Sequence, residues 1–150
     1  MGDFDFIYGD WDVANSRLAQ RHVGCRTWEQ FESVSHCAPR LGGVANVEEI
    51  KAASQGWSGM ALRLYDPAEA LWSIWWVDSR DGRLQPPVHG RFGDGQGVFE
   101  GEDEDDGRPV KVRFLWSADR ERPRWEQAFS ADGGATWETN WIMDFTRRES

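Results

Sequence analysis

Turn signals punctuate this chain too often for anything but strands to lie between them. They fall at Asp66-Pro67, Asp81-Gly82, Gly93-Asp94-Gly95, Asp105-Asp106-Gly107, Arg122-Pro123 and Asp132-Gly133-Gly134. Successive signals lie roughly 10 to 17 residues apart, which admits a strand and leaves no room for a crossover helix. Between them the chain alternates with period two. Val110, Val112, Phe114 and Trp116 share a face opposite Lys111 and Arg113. Trp125 and Phe129 flank Gln127. Trp137, Trp141, Met143 and Phe145 oppose Glu138, Asn140 and Asp144. Such alternation marks antiparallel strands with one buried side. Residues 44–55 read as a short helix or, by their valines, as a strand.

The chain has 150 residues, one domain's worth, with 39% hydrophobic and 29% charged. A meander of about nine or ten strands would leave exposed edges unless it closed on itself. The reading is therefore all-β: a closed antiparallel up-and-down barrel over residues 1–150. Phe4, Phe6 and Ile7 precede the first strand and are apolar enough to plug one end. Gly9-Asp10-Trp11 opens that strand and Arg147 closes the last one. Period-two counting puts both Trp11 and Arg147 inside the barrel, where closure makes them neighbours. The guanidinium then stacks on the indole as a cation–π pair, so Gly9, Trp11 and Arg147 are read as a structural lock.

These residues resemble a known signature. Gly-x-Trp at the first strand with an Arg closing the last is similar to the calycin superfamily, which includes the lipocalins. The longer pattern resembles an uncharacterised family of bacterial lipocalin-like proteins of unknown function. It runs through Phe6-Ile7-Tyr8-Gly9-Asp10-Trp11-Asp12-Val13, Leu62-Arg63-Leu64-Tyr65-Asp66-Pro67, Trp72-Ser73-Ile74-Trp75-Trp76-Val77-Asp78, Arg124-Trp125-Glu126-Gln127-Ala128-Phe129-Ser130 and Trp137-Glu138-Thr139-Asn140-Trp141. The resemblance implies a small β-barrel and carries no catalytic residue. The chain departs from true lipocalins in stopping soon after Arg147, without room for their C-terminal helix.

Charge and composition narrow the partners. Seventeen basic against 26 acidic side chains give a net charge of −9, which argues against nucleic acid and anionic membranes. No apolar run approaches membrane-spanning length. The first residues hold Asp3, Asp5 and Asp10 without Lys or Arg, unlike a signal peptide, so the expectation is cytoplasmic. Cys25 and Cys37 read as reduced thiols, although a bridge between them stays open.

Motifs for chemistry are scarce. Ser130-Ala131-Asp132-Gly133-Gly134-Ala135-Thr136-Trp137 matches an Asp-box, a device for shaping a hairpin turn. The acidic run Glu100–Gly107 fails as a calcium loop, because setting Gly107 sixth puts Arg113 at twelfth. His22, His36 and His89 form no metal-binding spacing, and His89 is expected to point outward. No cofactor, metal or catalytic residue is expected. Glu126, Arg63 and Arg113 suit surface ion pairs.

The remaining signal is ten tryptophans beside eight phenylalanines. Trp11, Val13, Met60, Leu62, Leu64, Trp72, Trp76, Trp116, Trp125, Phe129, Trp141 and Phe145 are expected inside, with Asn15, Gln127 and Thr139 as polar companions. A barrel of this size fills itself or holds one small ligand. The ligand reading makes it a non-enzymatic carrier or sensor of a small apolar or aromatic molecule. Its site would comprise Asn15, Trp76, Trp116, Trp125, Gln127 and Trp141. Two alternatives stay open. One is an interaction module with a solid core, dimerising through an outward Trp75 joined by Trp57, Tyr65 and Leu115. The other is an enzyme using the cavity.

Overall fold

The computed structural model describes residues 2–148. Ten strands follow one another: β1 (Gly9–Leu18), β2 (Trp28–Arg40), β3 (Ala45–Ala52), β4 (Trp57–Asp66), β5 (Leu71–Asp78), β6 (Val88–Gly93), β7 (Gln96–Asp105), β8 (Arg108–Ser117), β9 (Arg124–Ser130) and β10 (Glu138–Arg147). Each pairs antiparallel with its neighbour in sequence, and β1 pairs with β10 to close an up-and-down barrel. Helical content is limited to short 3-10 turns, at Asp5–Ile7, Leu41–Gly43 and Ala53–Gln55. No helix among the described residues is long and apolar enough to cross a membrane. Residues 45–52 are strand β3, which resolves the ambiguity of segment 44–55.

The tightest hairpins follow from their turn residues. Asp94-Gly95 joins β6 to β7, and Asp106-Gly107 joins β7 to β8. All four residues have positive φ, 53° and 76° in the first turn and 52° and 79° in the second. That is the requirement of a two-residue hairpin matched to strand twist, and Asp-Gly meets it cheaply. In the Asp-box turn, Asp132 accepts from Thr136 N at 2.9 Å and from Thr136 Oγ1 at 2.5 Å, and Ser130 Oγ accepts from Gly134 N at 2.8 Å.

One end of the barrel is closed by its own N-terminus. Phe4, Phe6 and Ile7 are buried. Phe4 meets Trp72 edge-on at 4.8 Å and Phe92 at 4.9 Å, while Phe6 meets Trp116 at 5.6 Å. Such pairs add about 0.5–1.5 kcal/mol each beyond their burial. Trp11 Nε1 donates to Ile7 O at 2.8 Å, and Trp72 Nε1 donates to Asp3 at 2.9 Å, so polar tips tie the plug down.

Arg147 departs from the sequence expectation in one respect. It is not inside the barrel but exposed at the plugged rim. The pairing itself is present: its guanidinium lies 4.0 Å over the Trp11 ring, and Nη1 donates to Tyr8 O at 3.0 Å. The strand runs one residue past the barrel interior, and the long side chain folds back over the fully buried indole. Gly9 is at φ 113°, and a Cβ there would stand 2.8 Å from Arg147 Nη1. The glycine is needed both for its backbone and for the room it leaves.

Three further expectations are corrected. In β4 the inward residues are Trp57, Gly59, Ala61 and Arg63, whereas Met60, Leu62 and Leu64 face outward, with Met60 exposed. The apolar phase of that strand lies on the outer wall, so alternation read it inside out. Trp57 is consequently a core residue, in T-shaped contact with Trp76 and Trp141, and cannot join an outer patch. In β10 the register shifts between Thr139 and Trp141. This bulge puts Asn140 beside Trp141 on the inner surface and turns Thr139 to the outer face with Ala128. Trp137 lies before the strand, under the Arg113 guanidinium at 4.4 Å, not on the Trp141 face.

Candidate functional site

The plugged half of the barrel is solid and the other half is hollow. A cavity of about 230 Å³ occupies the open half. Trp76, Trp116, Trp125, Trp141, Phe114 and Phe129 form most of its aromatic wall, with Val112, Ile50 and Met143 between them. Five of the six residues expected to bind a ligand line it: Trp76, Trp116, Trp125, Gln127 and Trp141. Asn15 stands behind this wall. Its Nδ2 donates to Ser33 Oγ at 2.9 Å and its Oδ1 accepts from Trp141 Nε1 at 3.0 Å, so it fixes the indole and has no atom left for a ligand. Trp72 belongs to the solid half. Trp76 lies flush on Gly59, where an added Cβ would come within 2.2 Å of the indole.

The floor of the cavity is charged, which the sequence reading missed. Arg63 and Glu48 both line the cavity at 3% and 1% exposure. They form a buried hydrogen-bonded ion pair through Arg63 Nη2 and Glu48 Oε1. Arg63 Nη1 donates to Asn46 Oδ1 at 2.9 Å, and Glu48 Oε2 accepts from Ser35 Oγ at 2.6 Å. The guanidinium also lies over Phe4 at 4.9 Å and Trp116 at 5.3 Å. Arg63 is therefore no surface ion-pair residue. Burial works against its charge, and Glu48 more than offsets that, so its pKa is raised. Cys37 is buried beside this group. Burial pushes its thiol up to about 12, Glu48 adds to the effect and Arg63 opposes it. Both cysteines are free, with Cys25 only half-buried. Polar inward residues on β3 and β4 imitate an outer face, so alternation hid them. Trp57 in phase with Arg63 was the available signal.

The open mouth carries paired charges together with Glu102, Asp103 and Glu104, which form no ion pair among the described residues. Arg21 holds Asp105 through two 2.7 Å bonds, and His22 Nε2 approaches the same carboxylate at 2.8 Å. Arg80 holds Asp78 at 2.7 Å and lies over Trp57 at 4.8 Å. Arg hydrogen bonds, chiefly, hold the carboxyls of Asp78 and Asp105 below the usual carboxylate range. Arg17 also lines the mouth, 4.5 Å over the Trp141 ring. At the same level Gln127 Nε2 donates to Asn140 Oδ1 at 2.8 Å. Several N–H groups of the lining lack a hydrogen-bond partner, namely Arg63 Nε, Trp116 Nε1 and Asn140 Nδ2. Glu126 and His89 stand outside the cavity. Glu126 pairs with Arg124 on the outside, and exposed His89 bonds Ser73 at 2.7 Å.

No protein-family model matches the chain, and no curated protein matches it in sequence. Its backbone does match a solved structure, the S-type phycobiliprotein lyase CPES of Guillardia theta. The match has a TM-score of 0.55 and 13% identity, and spans 98% of this chain and 91% of that one. The fold is that of a lipocalin-like barrel. At this identity the likeness concerns the fold and carries over no residue roles.

Proposed function

We propose that the barrel is a non-enzymatic carrier or sensor that encloses one small aromatic or apolar molecule in its open half. The observation that supports this is the cavity itself: about 230 Å³, walled by indoles and phenyl rings between the Arg63–Glu48 pair of its floor and the charged side chains of its mouth. Ligand sites are apolar concavities with a small number of placed polar groups. Drug-sized pockets run to roughly 300–1,000 Å³, so the molecule held here is smaller. Trp76, Trp125 and Trp141 offer faces for stacking, and Gln127 orients the ligand. The chain is read as a member of the uncharacterised bacterial lipocalin-like family of the calycin superfamily, on its Gly-x-Trp and terminal Arg. A barrel of this fold serves in a phycobiliprotein lyase, which is consistent with an occupied interior.

The test is titration of the protein with panels of aromatic and fatty molecules while intrinsic Trp fluorescence is followed. Saturable quenching is expected for the aromatic panel, because Trp residues form the wall. Absence of a saturable response to every class would overturn the reading.

A second reading concerns the outer wall and is independent of the cavity. Trp75 faces outward and half-buried, opposite Leu62, with Val77 opposite the exposed Met60. We propose that this apolar strip of β4 and β5 is a homodimer contact.

A further inference from the structure

Among the described residues, Arg17 is the one arginine of the cavity mouth without an ion-pair carboxylate. Arg21 is committed to Asp105 and Arg80 to Asp78. No acid among the described residues forms an ion pair with Arg17. Glu29, across the β1–β2 ladder, and Asp78 are near enough to be felt electrostatically, but Asp78 is spent on Arg80 and on Trp76 Nε1. The Arg17 guanidinium instead lies over the Trp141 ring, 4.5 Å from its centroid. Burial, then the neighbouring charges of Arg80 and Arg21, lower its pKa. It is a cation placed where its charge is costly, and an arriving anion would relieve that cost.

A second group stands at the same level. Arg17 is the ladder partner of Trp141, and the β10 bulge sets Asn140 next to it. Asn140 is 3% exposed, lines the cavity and has its Oδ1 occupied by Gln127, yet its Nδ2 has no partner. A buried amide N–H without an acceptor costs stability unless something supplies one. A guanidinium and an amide donor together present what a carboxylate accepts.

We propose that the ligand of this cavity is an aromatic carboxylate, its ring stacked among the Trp residues and its acid group held at the mouth by Arg17 and Asn140. The inference rests on the small-molecule reading above and specifies the class of molecule.

Calorimetric titration of the whole protein with 2-naphthoate and with its neutral counterpart 2-naphthamide tests it. The acid is expected to bind about tenfold or more tightly than the amide. In Arg17→Gln the ratio of acid to amide affinity should fall to about one, and Arg17→Lys should retain part of the preference. Unaltered thermal unfolding of the variants confirms that the mouth is intact. Equal binding of acid and amide by the native protein overturns the carboxylate assignment and leaves the cavity reading standing. An acid preference that survives in Arg17→Gln also overturns it. Failure of both probes, together with the fluorescence panel, overturns the small-molecule reading and this inference with it.

Discussion

At the scale of single residues, Arg147 and Trp11 couple the two ends of the chain. The guanidinium stacks at 4.0 Å on a fully buried indole and bonds Tyr8 O at 3.0 Å. An exposed cation–π pair contributes about 0.5–1 kcal/mol, and a hydrogen bond about the same. At about 2–4 °C per kcal/mol for a chain this long, Arg147→Ala should lower Tm by several degrees, with Arg147→Lys in between. Unchanged thermal unfolding in both variants would refute the lock. Asp132 gives a second residue-scale test. Its hydrogen bonds, that of Thr136 Oγ1 foremost, hold its pKa at about 2 against an ordinary 3.8. A depressed carboxyl stabilises the fold above its unfolded pKa, and that contribution is lost as pH falls through the folded one. The Tm deficit of Asp132→Asn should therefore be constant at neutral pH and shrink between pH 3.8 and about 2. A deficit independent of pH would show that the carboxylate charge is not involved. The lock residues were legible from sequence because both stand at strand ends with an invariant geometric consequence: closure brings the two ends together. The exact depth of Arg147 was not, because it depends on where the strand leaves the barrel.

At the scale of elements, β3 and β4 show how a strand's phase can mislead. Glu48 and Arg63 face inward and pair, while Met60, Leu62 and Leu64 face outward. Sequence alternation finds the period but takes the apolar face as the inner one. Here the inner face holds an ion pair hydrogen-bonded further by Ser35 and Asn46, so the assumption fails. Removing one partner of a buried pair leaves a lone buried charge and costs about 3–5 kcal/mol, whereas replacing both with apolar residues is often near neutral. Arg63→Met and Glu48→Leu should each destabilise strongly in urea unfolding, and the double variant should recover most of the loss. Additive losses would mean that the two do not act as a pair. The bulge in β10 is the other element-scale event. One extra residue at Asn140 moves a polar side chain from the outer to the inner face, and with it the donor that the mouth presents. Nothing in a period-two pattern marks such a slip.

At the scale of the molecule, the barrel divides into a solid half and a hollow half. The plug Phe4, Phe6 and Ile7, with Trp72, Phe99 and Phe145, fills one end. The other end is left open to about 230 Å³ of space. The outer strip of Trp75, Val77, Leu62 and Met60 sets a molecular prediction: light scattering should give a dimer mass, and Trp75→Lys should return it to monomer. A monomer mass at working concentration would remove the dimer.

The sequence by itself determined that the chain is a closed meander of about nine or ten strands with its N-terminus as plug, since turn chemistry and period-two alternation are local properties; the structure has ten. It also named the aromatic wall at Trp76, Trp116, Trp125 and Trp141, because strands β5, β8, β9 and most of β10 bury their apolar face in the ordinary way. Only the tertiary structure decided that Arg63, Glu48, Arg17 and Asn140 share that interior, and that the interior is half empty. The reason is physical. Which face of a strand points inward is set by what its neighbours supply, and whether a barrel is hollow depends on how side chains from ten strands fill a common volume.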